Sequence, residues 1–171
     1  MLFYLYLLWG PPLVAAEAVH EMAVGEVRDL GWEVTEPLNR WLKSHPRVNA
    51  LLSSANTALM LYCLSILFND MMSGRVCRPR KFLLLIILRA CLGGVTRLPL
   101  SRDILRCATD IPPFECSFFH IFSGHTCLLY VCMGASPMGI GLLVVQSLRL
   151  LGTRGHYTVD ICLGLLLTHL V

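Results

Sequence analysis

Residues 48–68 carry no charge at all, over about the 20 residues that an α-helix needs to cross the hydrocarbon of a bilayer. A run of this kind restricts the chain severely, because its backbone polar groups must be satisfied internally when no water reaches them. Residues 82–100 make a second apolar stretch, interrupted by Arg89 and Arg97, and 117–135 a third, holding His120 and His125. After Ser136-Pro137 an apolar stretch covers 138–152, and 153–171 opens polar and closes apolar. The 171 residues are 56% hydrophobic and 15% charged, against about 25% charged in ordinary soluble domains. The mean hydropathy is +0.65. These features predict an all-α, polytopic transmembrane bundle of about five to six helices. Residues 1–171 read as a single membrane domain, with its transmembrane core over 48–171.

The N-terminal part is read separately. Residues 1–16 form an apolar stub broken by Gly10-Pro11-Pro12, too short for a full span and lacking the basic flank of a signal peptide. It is either a partial first helix or an interfacial anchor. Residues 17–47 hold Glu17, Glu21, Glu26, Arg28, Asp29, Glu33 and Glu36 among Val24, Val27, Leu30, Trp32, Val34, Leu38, Trp41 and Leu42. That mixture suits a helix lying in the membrane interface, and equally a solvated connector.

Charge then orients the chain. The loop at 69–81 has Arg75, Arg78, Arg80 and Lys81 against the single acid Asp70, so positive-inside bias makes it cytoplasmic. Alternation places 101–116 and 152–155 on the opposite face, with 136–137 returning to the first. His125 and His156 therefore arrive on one face at similar depth. The net charge of +3 is dispersed and provides no basic stripe for nucleic acid. Of the eight cysteines, Cys63, Cys91, Cys127, Cys132 and Cys162 fall in apolar runs, where cysteine acts as a small hydrophobe. Only Cys107 and Cys116 share a loop in which they could oxidise.

Two motifs carry chemistry: Phe122-Ser123-Gly124-His125-Thr126 and Gly155-His156-Tyr157-Thr158-Val159-Asp160. Ionisable groups in membrane-type segments are costly and rarely idle. Asp160 stands at i+4 from His156, on one helix face, where a carboxylate can orient the imidazole. Phosphoryl-type transfer through a covalent intermediate needs a nucleophile, a proton donor for the leaving oxygen and cations around phosphate. His156 with Asp160 fits the first requirement and His125 the second, since an imidazole can give and take a proton near neutrality. Arg89, Arg149 and Arg154 are the candidates for the phosphate oxygens, because guanidinium binds phosphate bidentately and stays charged. On a continuous helix Arg149, His156 and Asp160 would share a face, with Gly152 and Gly155 as possible breaks. No set of Asp, Glu, His and Cys has metal-ligand spacing, so no metal and no cofactor is expected. Aromatic faces bind quaternary ammonium groups, which makes Phe119, Phe122 and Tyr157 the candidates for choline; the bland reading of the phenylalanines is core or lipid contact. His20, His45, His120 and His169 have no partner pattern and receive no role.

Taken together, the Phe-Ser-Gly-His-Thr and Gly-His-Tyr-Thr-Val-Asp motifs resemble the lipid phosphate phosphatase and sphingomyelin synthase superfamily. That resemblance implies a six-helix core and a metal-independent His, His, Asp triad. A narrower likeness, to the plant phosphatidylcholine:diacylglycerol cholinephosphotransferases, runs over Gln146 to Asp160, Ser117-Phe118-Phe119 leading into Phe122-Ser123-Gly124-His125, and Arg89 followed by Leu98-Pro99-Leu100. Weaker similarity extends back through Asn49 and Ser44-His45-Pro46. It implies His156 as nucleophile, Asp160 as its orienting base and His125 as acid. The implied substrates are phosphatidylcholine and diacylglycerol, in the endoplasmic reticulum membrane, where the basic loop at 69–81 puts the catalytic residues on the luminal side; protein partners are not indicated.

The chain departs from these patterns in two places. The phosphatase signature sets Ser and Arg side by side, whereas Leu148 separates Ser147 from Arg149 here. The plant enzymes also have a longer N-terminal region and continue past the last helix, which reads as a reduced or incomplete homologue. The triad alone is equally compatible with transfer to ceramide or to water, and the reading from another class is an inactive lipid-binding scaffold.

Overall fold

Proline and serine set where most of the helices begin. The computed structural model describes residues 28–95, 101, 103–110 and 122–171, and it contains helices and no strand among them. The stub at 1–16 and His20, Arg97, Cys116, Phe118, Phe119 and His120, singled out in the sequence, lie outside the described residues. Two short helices, α1 (Leu30–Val34) and α2 (Glu36–Ser44), precede a long one, α3 (Pro46–Met72). Then follow α4 (Cys77–Val95), α5 (Gly124–Met133), α6 (Pro137–Gly152) and α7 (Thr158–Leu170). Pro46 and Pro137 open α3 and α6, at a position where the missing N–H is not needed. Ser123 and Ser136 cap α5 and α6 by accepting from the Thr126 and Gly139 amides, at 3.3 and 3.1 Å, which satisfies donors that the helix cannot. Gly74, at φ +74°, ends the turn after α3 in the left-handed region that favours glycine.

Helix α5 is the hub, packing on α3, α4, α6 and α7. Its small side chains let neighbours approach. Cys127 Sγ donates to the Gly164 carbonyl of α7 at 3.5 Å, and Cys132 Sγ to the Cys63 carbonyl of α3 at 3.3 Å. A Cβ on Gly164 would stand only 3.2 Å from the Ser123 carbonyl oxygen. The core gathers Met60, Leu67, Leu85, Phe122, Leu129 and Leu143 around these contacts.

The buried stripe of α3 reads Asn49, Ser53, Asn56, Met60, Cys63, Leu67 and Asp70, alternating steps of four and three that keep one side facing its partners. Four of these seven residues are polar or charged. The outward face carries Leu51, Leu61, Tyr62, Phe68 and Met72, between 53% and 71% exposed. Asn56 Oδ1 accepts from Gln146 Nε2 of α6 at 3.1 Å. The helix is thus polar inside and apolar outside, the reverse of a helix on a water-soluble domain.

Among the described residues, α3 alone is long and apolar enough to cross a membrane, while α5, α6 and α7 are shorter apolar helices. With 13 residues, α7 is about 20 Å long, short of the hydrocarbon core of a bilayer. The described part of the polar segment at 17–47, from residue 28, holds two short helices, of which α1 touches α6 and α7, and α2 touches α3 and α6.

Candidate active site

Each of the two candidate histidines sits at the start of a helix. His125 follows Gly124 in the first turn of α5, and His156 precedes Tyr157, the N-cap of α7. The starts are tied directly, since the Ser123 amide donates to the Asp160 carbonyl oxygen at 2.9 Å. Consequently the imidazoles of His125 and His156 lie 5.8 Å apart, centroid to centroid, nearly edge to face. Asp160 is fully buried and turns its carboxylate back over the helix start. Its Oδ2 accepts the Tyr157 amide at 2.9 Å and faces His156 Nδ1 at 3.4 Å. With Nδ1 carrying the proton toward Asp160, the lone pair of His156 is on Nε2. Both helix N-termini, with their positive dipole ends, favour an anion nearby.

The three arginines are placed differently. A Cβ on Gly124 would stand 2.8 Å from Arg89 Nη1, so the Arg89 guanidinium lies against the turn that carries His125. Arg149 ion-pairs with Asp110, whose carboxylate also accepts from Ser53 Oγ at 2.7 Å and from the Cys107 amide at 3.0 Å. Arg149 Nε is buried with no hydrogen-bond partner among the described residues. Arg154 is engaged by Glu36 and by Thr35 Oγ1, with its guanidinium 5.5 Å from the centre of the Trp32 ring. Arg149 and His156 do not share a continuous helix, because α6 ends at Gly152 and α7 begins at Thr158. Between them Arg154 takes φ 60°, a left-handed conformation that costs a residue with a Cβ about 1–2 kcal/mol.

Of the choline candidates, Phe122 is fully buried in the core. Tyr157 is buried and stacks on Trp32, with centroids 4.4 Å apart. Cys107 is a free thiol, and burial and the nearby Asp110 push it up from its ordinary pKa.

Sequence reasoning missed Asp29, Trp32, Asn39 and Asp110. Asp29 caps α1 through the Trp32 amide and reaches the Thr158 amide at 2.8 Å. Trp32 Nε1 donates to the His156 carbonyl at 2.8 Å, and Asn39 Nδ2 to the Gly152 carbonyl at 2.7 Å. The described loop at 103–110 joins the same end of the bundle, through the Leu105 amide on the Thr153 carbonyl at 2.8 Å and Lys43 on Asp103 at 2.8 Å. The turns after α3 and after α5 lie at the far end, where Cys77, Arg78, Lys81, Val131, Gly134 and His169 line a cavity of about 330 Å³.

Fold and site define a helical protein with an apolar outer surface and two histidines facing each other over a buried aspartate. The chain belongs to the AtPDCT1/2 family, whose model matches residues 28–171. It is similar to phosphatidylcholine:diacylglycerol cholinephosphotransferase 1 of Arabidopsis thaliana, 34% identical over 176 residues, covering 91% of this chain and 58% of that protein. It is also similar to phosphatidylcholine:diacylglycerol cholinephosphotransferase 2 of Arabidopsis thaliana, 34% identical over 146 residues, or 80% of this chain and 49% of that protein. The chain spans about half the length of these curated relatives. No solved structure matches it.

Proposed function

We propose that this chain is a multi-pass endoplasmic reticulum membrane enzyme that moves phosphocholine from phosphatidylcholine to diacylglycerol through a histidine-bound intermediate. The observation that carries the reading is the facing pair His125 and His156, 5.8 Å apart, with Asp160 behind His156, in a member of this family. His156 Nε2 attacks phosphorus, the bond to the diacylglycerol oxygen breaks, and His125 gives that oxygen its proton. The neutral His125 then takes the proton of a second diacylglycerol hydroxyl, whose oxygen attacks phosphorus and releases His156. One phosphodiester replaces another, so no nucleotide enters. Arg89 against the His125 turn and the spare Nε of Arg149 supply cationic donors for the non-bridging oxygens.

Membrane residence is supported by α3, whose outward face is leucine, tyrosine, phenylalanine and methionine over a polar stripe. In lipid the outer face meets solvent of its own polarity, and helices are held by small residues and interhelical hydrogen bonds. The test is headgroup transfer in microsomes from a host lacking the activity, given labelled diacylglycerol and phosphatidylcholine without CDP-choline. Label entering phosphatidylcholine with wild type and not with His156→Ala is the expected result. In a parallel assay with choline-labelled phosphatidylcholine and added ceramide, label in a ceramide product, or released to water as free phosphocholine, would replace the acceptor; no product from well-expressed protein would end the enzyme reading.

A further inference from the structure

We propose that α1 and the start of α2 form a clamp that positions the reacting histidine, with Asp29 and Trp32 as positioning residues for His156 and Asp160. This inference rests on the reaction proposed above. The segment from Gly152 to Thr158 links two helices, and its backbone groups cannot all be satisfied by helical hydrogen bonds. Three of them end on side chains far away in the chain. The Gly152 carbonyl takes Asn39 Nδ2, the His156 carbonyl takes Trp32 Nε1, and the Thr158 amide gives to Asp29 Oδ2, at sequence separations of 113, 124 and 129.

The Thr158 hydroxyl is fixed as well. It accepts from the Gly31 amide at 3.0 Å and donates to Asp29 Oδ1 at 2.7 Å. There is no room for a side chain at this contact, because a Cβ on Gly31 would come within 2.2 Å of that hydroxyl. Trp32 adds its ring, stacked 4.4 Å from Tyr157. Arg154, held in a left-handed conformation, gives its guanidinium to Glu36 of α2.

Side-chain hydrogen bonds to a turn contribute to stability wherever they fall. These grip the backbone of residues 156 and 158, on either side of the Tyr157 amide that Asp160 Oδ2 binds. The same carboxylate oxygen faces His156 Nδ1 at 3.4 Å, already near the long limit of a hydrogen bond. A displacement of this turn by a fraction of an ångström therefore separates the imidazole from its carboxylate. Misplacement of a reacting group by about 1 Å costs on the order of 10²-fold in rate.

The test uses the full chain, purified and reconstituted in phosphatidylcholine vesicles with diacylglycerol. Trp32→Phe keeps the ring and removes the N–H donor; Asp29→Asn keeps an acceptor and Asp29→Ala removes both. Two readouts are taken: kcat and KM for each lipid, and the rate at which diethyl pyrocarbonate modifies His156, followed by peptide mass spectrometry with exposed His169 as the internal reference. We expect kcat to fall about 10- to 100-fold in Trp32→Phe and Asp29→Ala with KM unchanged. Asp29→Asn should lie between wild type and Asp29→Ala, and His156, not His169, should react faster in the variants. Wild-type protein without transfer activity, but with His156 exposed in the variants, would uphold the clamp and end the proposed reaction. Wild-type kcat and wild-type protection of His156 in folded Trp32→Phe and Asp29→Ala would overturn the clamp, as would a fall in melting temperature with kcat per folded protein unchanged.

Discussion

Asp160 serves two partners with one oxygen, and a substitution can separate them. Asparagine at this position keeps an oxygen to accept the Tyr157 amide, now bound at 2.9 Å, so the cap of α7 survives. The same oxygen still faces His156 Nδ1, but the neutral amide no longer supplies the negative charge that stabilises an imidazolium. Asp160→Asn is therefore expected to fold and melt close to wild type while losing roughly 10²- to 10⁴-fold in transfer rate; wild-type transfer in that variant would remove Asp160 from the mechanism. Asp103 illustrates a different residue-level effect, on stability. The hydrogen bond and charge of Lys43 hold its carboxyl below the ordinary carboxylate pKa, so near pH 4 the folded protein binds fewer protons than the unfolded chain. Stability then rises with pH in that window: the contribution is present above the unfolded value of 3.8 and is lost as pH falls through the lower folded value. The pair is exposed and contributes only about 0.2–1 kcal/mol. Melting temperatures of wild type and Asp103→Asn should differ by at most about 4 °C at pH 6 and converge as pH falls through the lowered folded value.

At the scale of elements, small residues decide how closely helices meet. A Cβ at Gly139, in the first turn of α6, would come 2.5 Å from the Gly134 carbonyl oxygen, which is backbone and cannot swing aside. Gly139→Ala should cost about 1–3 kcal/mol and lower the melting temperature by about 2–4 °C per kcal/mol. The contact is at the end of the bundle away from the histidines, so kcat per folded molecule should not change; a thermal scan beside a transfer assay checks both halves. The helices of the bundle were legible because their signals are local: an uncharged run for α3, Ser136-Pro137 for the start of α6, and Gly152 where α6 stops. Both histidine motifs were legible for the same reason, each written within a few consecutive residues. The clamp was not. Asp29 and Trp32 meet Thr158 and His156 across more than 120 residues, and in sequence they read as one acid and one aromatic among many in a polar segment. The partner of Arg154 was equally hidden: Glu36 pairs with its guanidinium, and nothing near Arg154 in sequence announces that acid.

For the whole molecule, the alternation of chain direction yields the most discriminating prediction. The turn after α3 and the turn after α5 stand at one end, beside a cavity that Arg78 and Lys81 line; the loop at 103–110, the linker at 153–157 and both histidines stand at the other. If the bundle crosses a bilayer, these two ends must face opposite compartments, and the basic end faces the cytosol by charge bias. Gly74 has open space around it and Arg106 is exposed, so a protease-cleavable tag can be inserted after either without displacing a packed side chain. In sealed microsomes the tag after Gly74 should be cut by protease added outside, and the tag after Arg106 only once detergent has opened the vesicles. The reverse pattern would keep the crossing and invert the protein, putting the histidines in the cytosol. Cleavage of both tags, or of neither, would mean that the described helices lie on one side, and the polar stripe of α3 would then need an explanation other than lipid around it.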